Sequence, residues 1–377
     1  MKTVQLHKTK DGNWEYLSAK QQLKNPLVLV FGNRHLLEDN NIYNEMETLF
    51  PEGHIVFGST SGDICSQAVA DKGITITAVE FEKSTFVIKT CNIVDSQLDS
   101  FKTGHDLINQ FPDEDLKYVL VVSEGSFVNG SQLTKGMSAA TNHDVLITGG
   151  LCGDDDRFEK TLASYNENPK QGEIVAIGFY GETLEVSSSI HGGWTPFGPE
   201  RTVTKSEANV LYELDNQPAL DLYKKYLGEK SKELPGAALL YPMNVKLVDE
   251  HQSIVRSILT IDEKENTMIM AGDIHENSKV QLMMTNVDNI ANASERAAKQ
   301  ALESRKNEPQ LAFLVSCIGR KLVLDQRVEE EIEEVTAVVG ANTTISGFYS
   351  YGEIAPFHGE NNCQLHNQTM TVTLISE

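Results

Sequence analysis

The sequence predicts an α/β protein: two halves of repeated strand-helix-strand units, with mixed β-sheets covered by helices. Apolar runs of strand length at residues 27–31, 118–122 and 311–315 are each bounded by breakers or polar residues and followed by helix-compatible segments. The strand-helix-strand pattern recurs, and each copy ends in a turn that pairs glycine with an acid. Between the copies lie pairs of Val-, Ile-, Thr- and Phe-rich segments that read as hairpins, which makes the sheets mixed.

Residues 1–25 are a polar lead-in. Pro26 opens the first strand, and Ile42, Met46, Leu49 and Phe50 then recur at helical spacing. Pro51 and Gly53 stop that helix, and a second strand runs from His54 into Gly58-Ser59-Thr60-Ser61-Gly62-Asp63-Ile64. Near the C-terminus the same order returns. The strand at 311–315 precedes a helix face of Val328, Ile332, Val335 and Val339, then a strand into Gly347-Phe-Tyr-Ser350-Tyr351-Gly352-Glu353-Ile354. Gly62-Asp63-Ile64 answers to Gly352-Glu353-Ile354, and Thr60 to Ser350. Arg34 and Arg320 follow the first strand of their copies at similar places. A third copy spans 118–156, ending in Gly149-Gly150-Leu-Cys-Gly153-Asp154. A fourth trace joins residues 238–241, 267–270 and Gly272-Asp273. Four traces imply two halves of two units each. The boundary is expected near 201–209, after the Gly/Pro-rich stretch from His191 to Pro199, dividing the chain into 1–25, 26–205 and 206–377.

A chain of 377 residues is long enough for two domains, and 40% hydrophobic residues suit a folded protein. Its net charge of −22 repels phosphate backbones and anionic headgroups, so nucleic acid and membrane are not expected partners. The five cysteines are scattered without a CxxC pair, which fits a reducing compartment rather than a disulfide framework. No export signal and no membrane-length apolar run is visible, so a cytoplasmic location is expected.

The repeated turn carries the chemistry. Glycine at a strand end can turn backbone N–H groups toward a ligand, and adjoining hydroxyls and carboxylates supply donors and acceptors. Ser59, Thr60 and Gly62, then Gly150, Gly153 and Asp154, then Ser350, Tyr351, Gly352 and Glu353 are the ligand-binding candidates. Arg320 is placed to take a ligand carboxylate and Glu353 an ammonium group, which points to an amino-acid-like metabolite in a cleft between the halves. The plainer reading makes the acids helix caps, the glycines turn residues and the arginines partners of nearby acids. Asp154 to Asp156 cannot all face one cation, and the Walker lysine and dinucleotide spacing are absent, so no metal or nucleotide is expected. His366 joins the candidate pocket. As an alternative, His191, His358 or His366 would serve as axial ligand to a haem; otherwise no cofactor is expected. Ser350 and Cys317 lack a nucleophile elbow or partner spacing, so the reading is non-catalytic, with an enzyme on a small amine or acid as a further alternative.

These residues resemble the FIST family, a two-part sensory module of N-terminal and C-terminal FIST regions. The resemblance rests on residues 57–64 and 147–155, on Cys317-Ile-Gly-Arg320, on residues 347–356, and on Leu365-His-Asn-Gln-Thr-Met370. It covers roughly 26–374, with 26–205 and 206–377 as the two domains. The family tends to show Gly-Cys-Ser-Thr-x-Gly-Glu in its first turn, where this chain has Phe57-Gly-Ser-Thr-Ser-Gly-Asp63. The resemblance implies a sensor of small ligands such as amino acids. For some relatives it implies a haem-binding nitric oxide sensor acting on a partner histidine kinase. With FIST-like sequence filling the chain, the output would pass through a separate protein.

Overall fold

Along the strand Leu27–Gly32 the side chains alternate between two cores, with Leu27, Leu29 and Phe31 in one and Val28 and Val30 in the other. Tyr118, Leu120 and Val122 alternate likewise with Val119 and Val121. So do Leu311, Phe313 and Val315 with Ala312 and Leu314. One face of all three runs lies in a single shared core, where Phe31 stacks on Phe348 at 4.8 Å. The other faces are covered by helices. Burial on both faces is why these strands read as unbroken apolar runs. The structure is a computed structural model that describes residues 1–8, 12–66, 68–70, 72–141, 145–246, 252–303 and 305–377.

The first unit comprises β1 (Lys2–Lys8), β2 (Leu27–Gly32), α1 (Ile42–Leu49), β3 (His54–Ser59), β4 (Asp63–Cys65) and β5 (Ile74–Glu80). The second comprises β6 (Thr85–Asn92), α2 (Ser100–Ile108), β7 (Leu116–Ser123), α3 (Gly130–Ala140), β8 (Leu146–Leu151), β9 (Ala163–Tyr165) and β10 (Glu173–Tyr180). The third opens with β11 (Glu185–His191). The chain then makes an excursion through β12 (Thr195–Glu207), β13 (Val210–Leu214), α4 (Ala219–Leu227), β14 (Met243–Lys246), β15 (Ser253–Arg256), β16 (Ile258–Asp262), β17 (Thr267–Met270) and β18 (Lys279–Met284). It returns with α5 (Val287–Leu302), β19 (Leu311–Cys317), α6 (Ile318–Leu324), α7 (Glu330–Val339), β20 (Thr344–Ser350), β21 (Gly352–Pro356), β22 (Cys363–His366) and β23 (Met370–Ser376).

Each unit builds a sheet in one order: its first strand, its last strand, then a parallel pair, as in β1-β5-β2-β3, β6-β10-β7-β8 and β11-β23-β19-β20. Each sheet is extended by a strand from another unit. β4 pairs with β20, β21 with β8, and β9 with β3, so the three units exchange strands in a ring. The segments expected as hairpins behave differently: β5 does not pair with β6, nor β10 with β11. β5 and β10 already have neighbours on both sides, so the chain must leave for the next sheet.

The excursion forms a separate antiparallel sheet, β15-β14-β18-β12-β13-β17-β16, with α4 on its own core around Val203, Leu211, Leu220 and Met268. The fourth trace therefore differs from the other three. Residues 236–240 form a 3-10 helix, and β17 pairs antiparallel with β13 and β16. The α/β class with mixed sheets under helices holds, while the point expected to divide the chain at 205/206 lies inside β12. Among the described residues no helix is long and apolar enough to cross a membrane.

Candidate functional site

The two turns that matched in sequence also match in space. Thr60 Oγ1 donates to Asp63 Oδ1, and Ser350 Oγ donates to Glu353 Oε1 at 2.6 Å. Registers agree, with Asp63 opposite Phe348 and Glu353 opposite Gly150. All four polar side chains are buried, so both turns serve first as internal braces. Burial pushes the Glu353 carboxyl up to about 7, against the pull of hydrogen bonds from Ser350 and Thr369 and the field of Arg320. Its second oxygen accepts from Thr369 Oγ1 at 2.8 Å and Thr369 N at 3.2 Å, so Glu353 is not open to a ligand ammonium.

The third copy departs from its expected place. In the β9–β3 pairing Ala163 stands opposite Gly58, the register that Asp63 and Glu353 occupy in the other two sheets. Gly153 and Asp154 instead belong to a loop between β8 and β9. There Ser59 Oγ donates to the Gly153 carbonyl at 2.9 Å, and a Cβ on Gly153 would meet Ser61 Oγ at 2.3 Å. Asp154 is fully buried and accepts from Arg34 Nε at 3.0 Å and Arg157 Nε at 2.9 Å. Gly62, with φ of +136°, sits beside this loop, and its carbonyl accepts from Tyr349 N at 2.8 Å.

Arg320 is likewise unavailable to a ligand. It is fully buried and donates to Glu331 Oε2 at 2.7 Å, Ser294 Oγ at 2.6 Å, the Ile290 carbonyl at 3.1 Å and the Gly192 carbonyl at 2.6 Å. These bonds consume the guanidinium and tie α5 to the Gly192-Gly193 bend. The residues expected to bind a ligand thus do not line one pocket. Gly352 packs on Leu365, where a Cβ would lie 2.8 Å from Cδ1. Tyr351 turns away, stacked on Phe158 at 4.3 Å with its hydroxyl accepting from Phe158 N, and walls a separate cavity of about 310 Å³.

His366 and His191 do come together. They line a cleft of about 440 Å³ between the third unit and the inserted sheet, with Trp194, Arg296, Asn244, Asn289, Phe357 and Thr369. Gly193, at φ +83°, lets the chain bend against α5; a Cβ there would lie 2.5 Å from the Asn289 carbonyl. Burial lowers the His366 imidazole to about 3. Burial also lowers His191, with the charges of Arg296 and Arg320 adding to the effect, so both rings are neutral. No carboxylate lines the cleft among the described residues, and Arg296 has no partner among them. Trp194 Nε1 is shielded from solvent and has no acceptor among them. Thr369 joins the cleft wall to Glu353.

The residues fit haem poorly. His366 Nε2 donates to the Ala355 carbonyl at 3.0 Å, and His191 Nε2 lies 2.9 Å from Gln300 Oε1, so each ring already uses that nitrogen. His358 is exposed on a turn. Burial pushes the thiols of Cys65 and Cys363 up to about 12 and about 11, and Cys317 is raised for the same reason, so none is a poised nucleophile.

Sequence reasoning passed over Trp194, Arg296, Asn244 and Asn289. His191 stood out as a possible axial ligand, and Gly192-Gly193-Trp194 only as part of the Gly/Pro-rich stretch that follows it. Nothing in the sequence joins positions a hundred residues apart.

The fold defines the class: an α/β protein of three strand-exchanging sheets with an inserted antiparallel sheet. Comparison supplies the family. The FIST N domain matches residues 26–217 and the FIST C domain residues 219–356, and the chain belongs to the FIST family. FIST domains are associated with sensory and signal-transduction roles. The chain is 27% identical over 237 residues to an uncharacterized protein, MJ1623, of Methanocaldococcus jannaschii. That match takes in 58% of this chain and 43% of the relative, so this chain spans under half its length. A cyanuric acid hydrolase from A. caulinodans aligns over 93% of this chain and 90% of that one at 9% identity with a TM-score of 0.35, too distant to bear on function.

Proposed function

We propose that this FIST protein is a cytoplasmic, non-catalytic sensor. It binds a small carboxylate-bearing, amino-acid-like metabolite in the cleft of His191, Trp194, Arg296 and His366, and signals through a separate partner such as a histidine kinase. The observation that carries this reading is the unpaired Arg296 in a cleft with no acid on its wall among the described residues, within a chain of net charge −22. A guanidinium takes a carboxylate through two parallel hydrogen bonds. Trp194 Nε1 and the amides of Asn244 and Asn289 add donors, while Met283, Val255 and Phe357 receive an apolar side chain. This moves the carboxylate contact from Arg320 to Arg296.

Occupancy has a short route inward, since Thr369 touches both the cleft and Glu353, whose strand is lent to the second unit. We also read the three units as copies of one ancestral unit. Their common strand order supports this, as does the close approach of Gly149 to the Val121 carbonyl and Gly347 to the Leu314 carbonyl, at 2.0 Å and 1.9 Å from the respective Cβ sites.

A thermal-shift screen against amino acids and small carboxylates tests the function. A ligand at one hundred times its Kd stabilises by about 2.7 kcal/mol, and Arg296→Ala abolishes that gain. No stabilisation at millimolar concentration defeats the reading. A Soret band after purification from haem-supplied cells favours the haem alternative instead.

A further inference from the structure

Each of the three repeated sheets begins with a strand that has one neighbour inside its own unit: β1, β6 and β11. The outer side of β1 is paired with residues 14–16. β11 is tied to α5 through Ser187 and Ser189, and its Glu185 carbonyl accepts from Arg305. β6 has no such cover, for among the described residues nothing but β10 hydrogen-bonds to its backbone. It runs eight residues in unbroken register with β10, without proline or glycine. Of the devices that usually blunt a sheet edge, it carries a single lysine, Lys89.

The ladder itself fixes which groups point outward. Ile93 N donates to the Gly172 carbonyl at 2.8 Å, in register with Cys91 opposite Ile174. Bonded residues alternate in an antiparallel ladder, so Val87, Lys89 and Cys91 direct their N–H and C=O groups to β10, and Phe86, Ile88 and Thr90 turn theirs outward. Charge and apolar surface complete the edge. From residue 84 to 94 the chain has no acid, in a protein of net charge −22. Lys83 and Asp95 flank that stretch, both exposed and both without an ion pair among the described residues. At its far end Val94, Leu98 and Phe101 are 55%, 54% and 42% exposed. Among the described residues these are three of nine exposed large apolar side chains, gathered within eight positions, a concentration that marks a contact surface.

We propose that β6 is a dimerisation edge, pairing antiparallel with β6 of a second copy of this chain. A two-fold axis through such a pair sets one residue opposite itself. Like charge excludes Lys89 from that place. Ile88 joins the most outward groups, with Phe86 opposite Thr90 on either side. That register sets Lys83 of each copy on the diagonal from Asp95 of the other, so an unpaired cation meets an unpaired anion at both ends. Val94 and Leu98 of each copy then adjoin the start of the other's β6. These self-complementary ends select a second copy over an unrelated strand. The second-unit sheets thereby join into one sheet across the dimer, whatever the cleft binds.

Sedimentation velocity of the full chain at about 50 µM is expected to show a dimer. Thr90→Pro deletes an outward N–H without touching a bond to β10. It weakens dimerisation about tenfold or more while leaving the fold intact by circular dichroism. Cys91 reports the register. It lies opposite Thr85 of the second copy in a non-hydrogen-bonded pair, whose Cβ atoms are about 4.5–5.5 Å apart. Oxidation of Thr85→Cys with copper phenanthroline therefore links two chains covalently, and Thr85→Cys/Cys91→Ser gives no link. A chain that stays monomeric at that concentration overturns the proposal and leaves the edge to another protein. So does a dimer equally tight in Thr90→Pro, or one in which Thr85→Cys fails to cross-link.

Discussion

The turns at Thr60–Asp63 and Ser350–Glu353 have the same local design and different reach. In both, a hydroxyl braces a buried carboxylate three residues on, and a strand then leaves for another sheet. Glu353 extends one methylene further and accepts a bond from Thr369, a residue on the wall of the cleft. The arginines differ in the same direction. Arg34 shares the buried Asp154 with the partly exposed Arg157, whereas Arg320 is sealed against Glu331 and holds the backbone of the cleft. A repeated motif is therefore a structural device in every copy, and the copy that adjoins an opening is the one able to serve a site.

The sharpest way to break this comparison is at the arginines. Arg320→Ala is expected to cost about 3–5 kcal/mol, because it strands a buried Glu331. Arg34→Ala is expected to cost about 1–2 kcal/mol, because Arg157 still pairs Asp154. Urea unfolding of both variants decides it, and equal losses would erase the distinction.

Next comes the acid. Folded Glu353 keeps its proton to about pH 7 while the unfolded chain releases it near 4.5, so stability falls as pH rises between those values. Glu353→Gln mimics the protonated form and is expected to stabilise the protein by about 3 kcal/mol at pH 8, with the gain vanishing below pH 4.5. Unfolding midpoints against pH measure this.

His366 works with the opposite sign. The unfolded chain takes up a proton as pH falls through 6.5, and the folded ring resists to about 3, so stability is lost on acidification across that window. At pH 5 the loss is about 2 kcal/mol, and His366→Gln is expected to flatten it. The smallest effect on stability is that of Arg296→Ala, within about 0.5 kcal/mol for an exposed side chain. The same variant abolishes ligand stabilisation in the thermal screen.

Much of the fold was legible because periodicity records burial. The parallel pairs β2-β3, β7-β8 and β19-β20 follow from runs 27–31, 118–122 and 311–315, whose two faces both meet apolar neighbours. The match of Thr60 with Ser350 was legible because a three-residue hydroxyl–carboxylate contact is local. The expected hairpins do not form because alternation reveals a strand without revealing its partner. Asp154 falls outside its expected place because a loop of eleven residues, 152–162, shifts the register that a Gly-Asp pair announces.

Sequence by itself determined the strand-helix-strand units, the equivalence of two turns and the membership of a family, all of which depend on residues near one another along the chain. Tertiary structure alone decided the ring of exchanged strands, the sealing of Arg320 and the cleft that joins His191, Arg296 and His366. These depend on where β11, α5 and β22 meet, and that meeting is set by long-range packing of three sheets on one core. Local pattern encodes which face of an element is buried, and only the assembled core determines what that face is buried against.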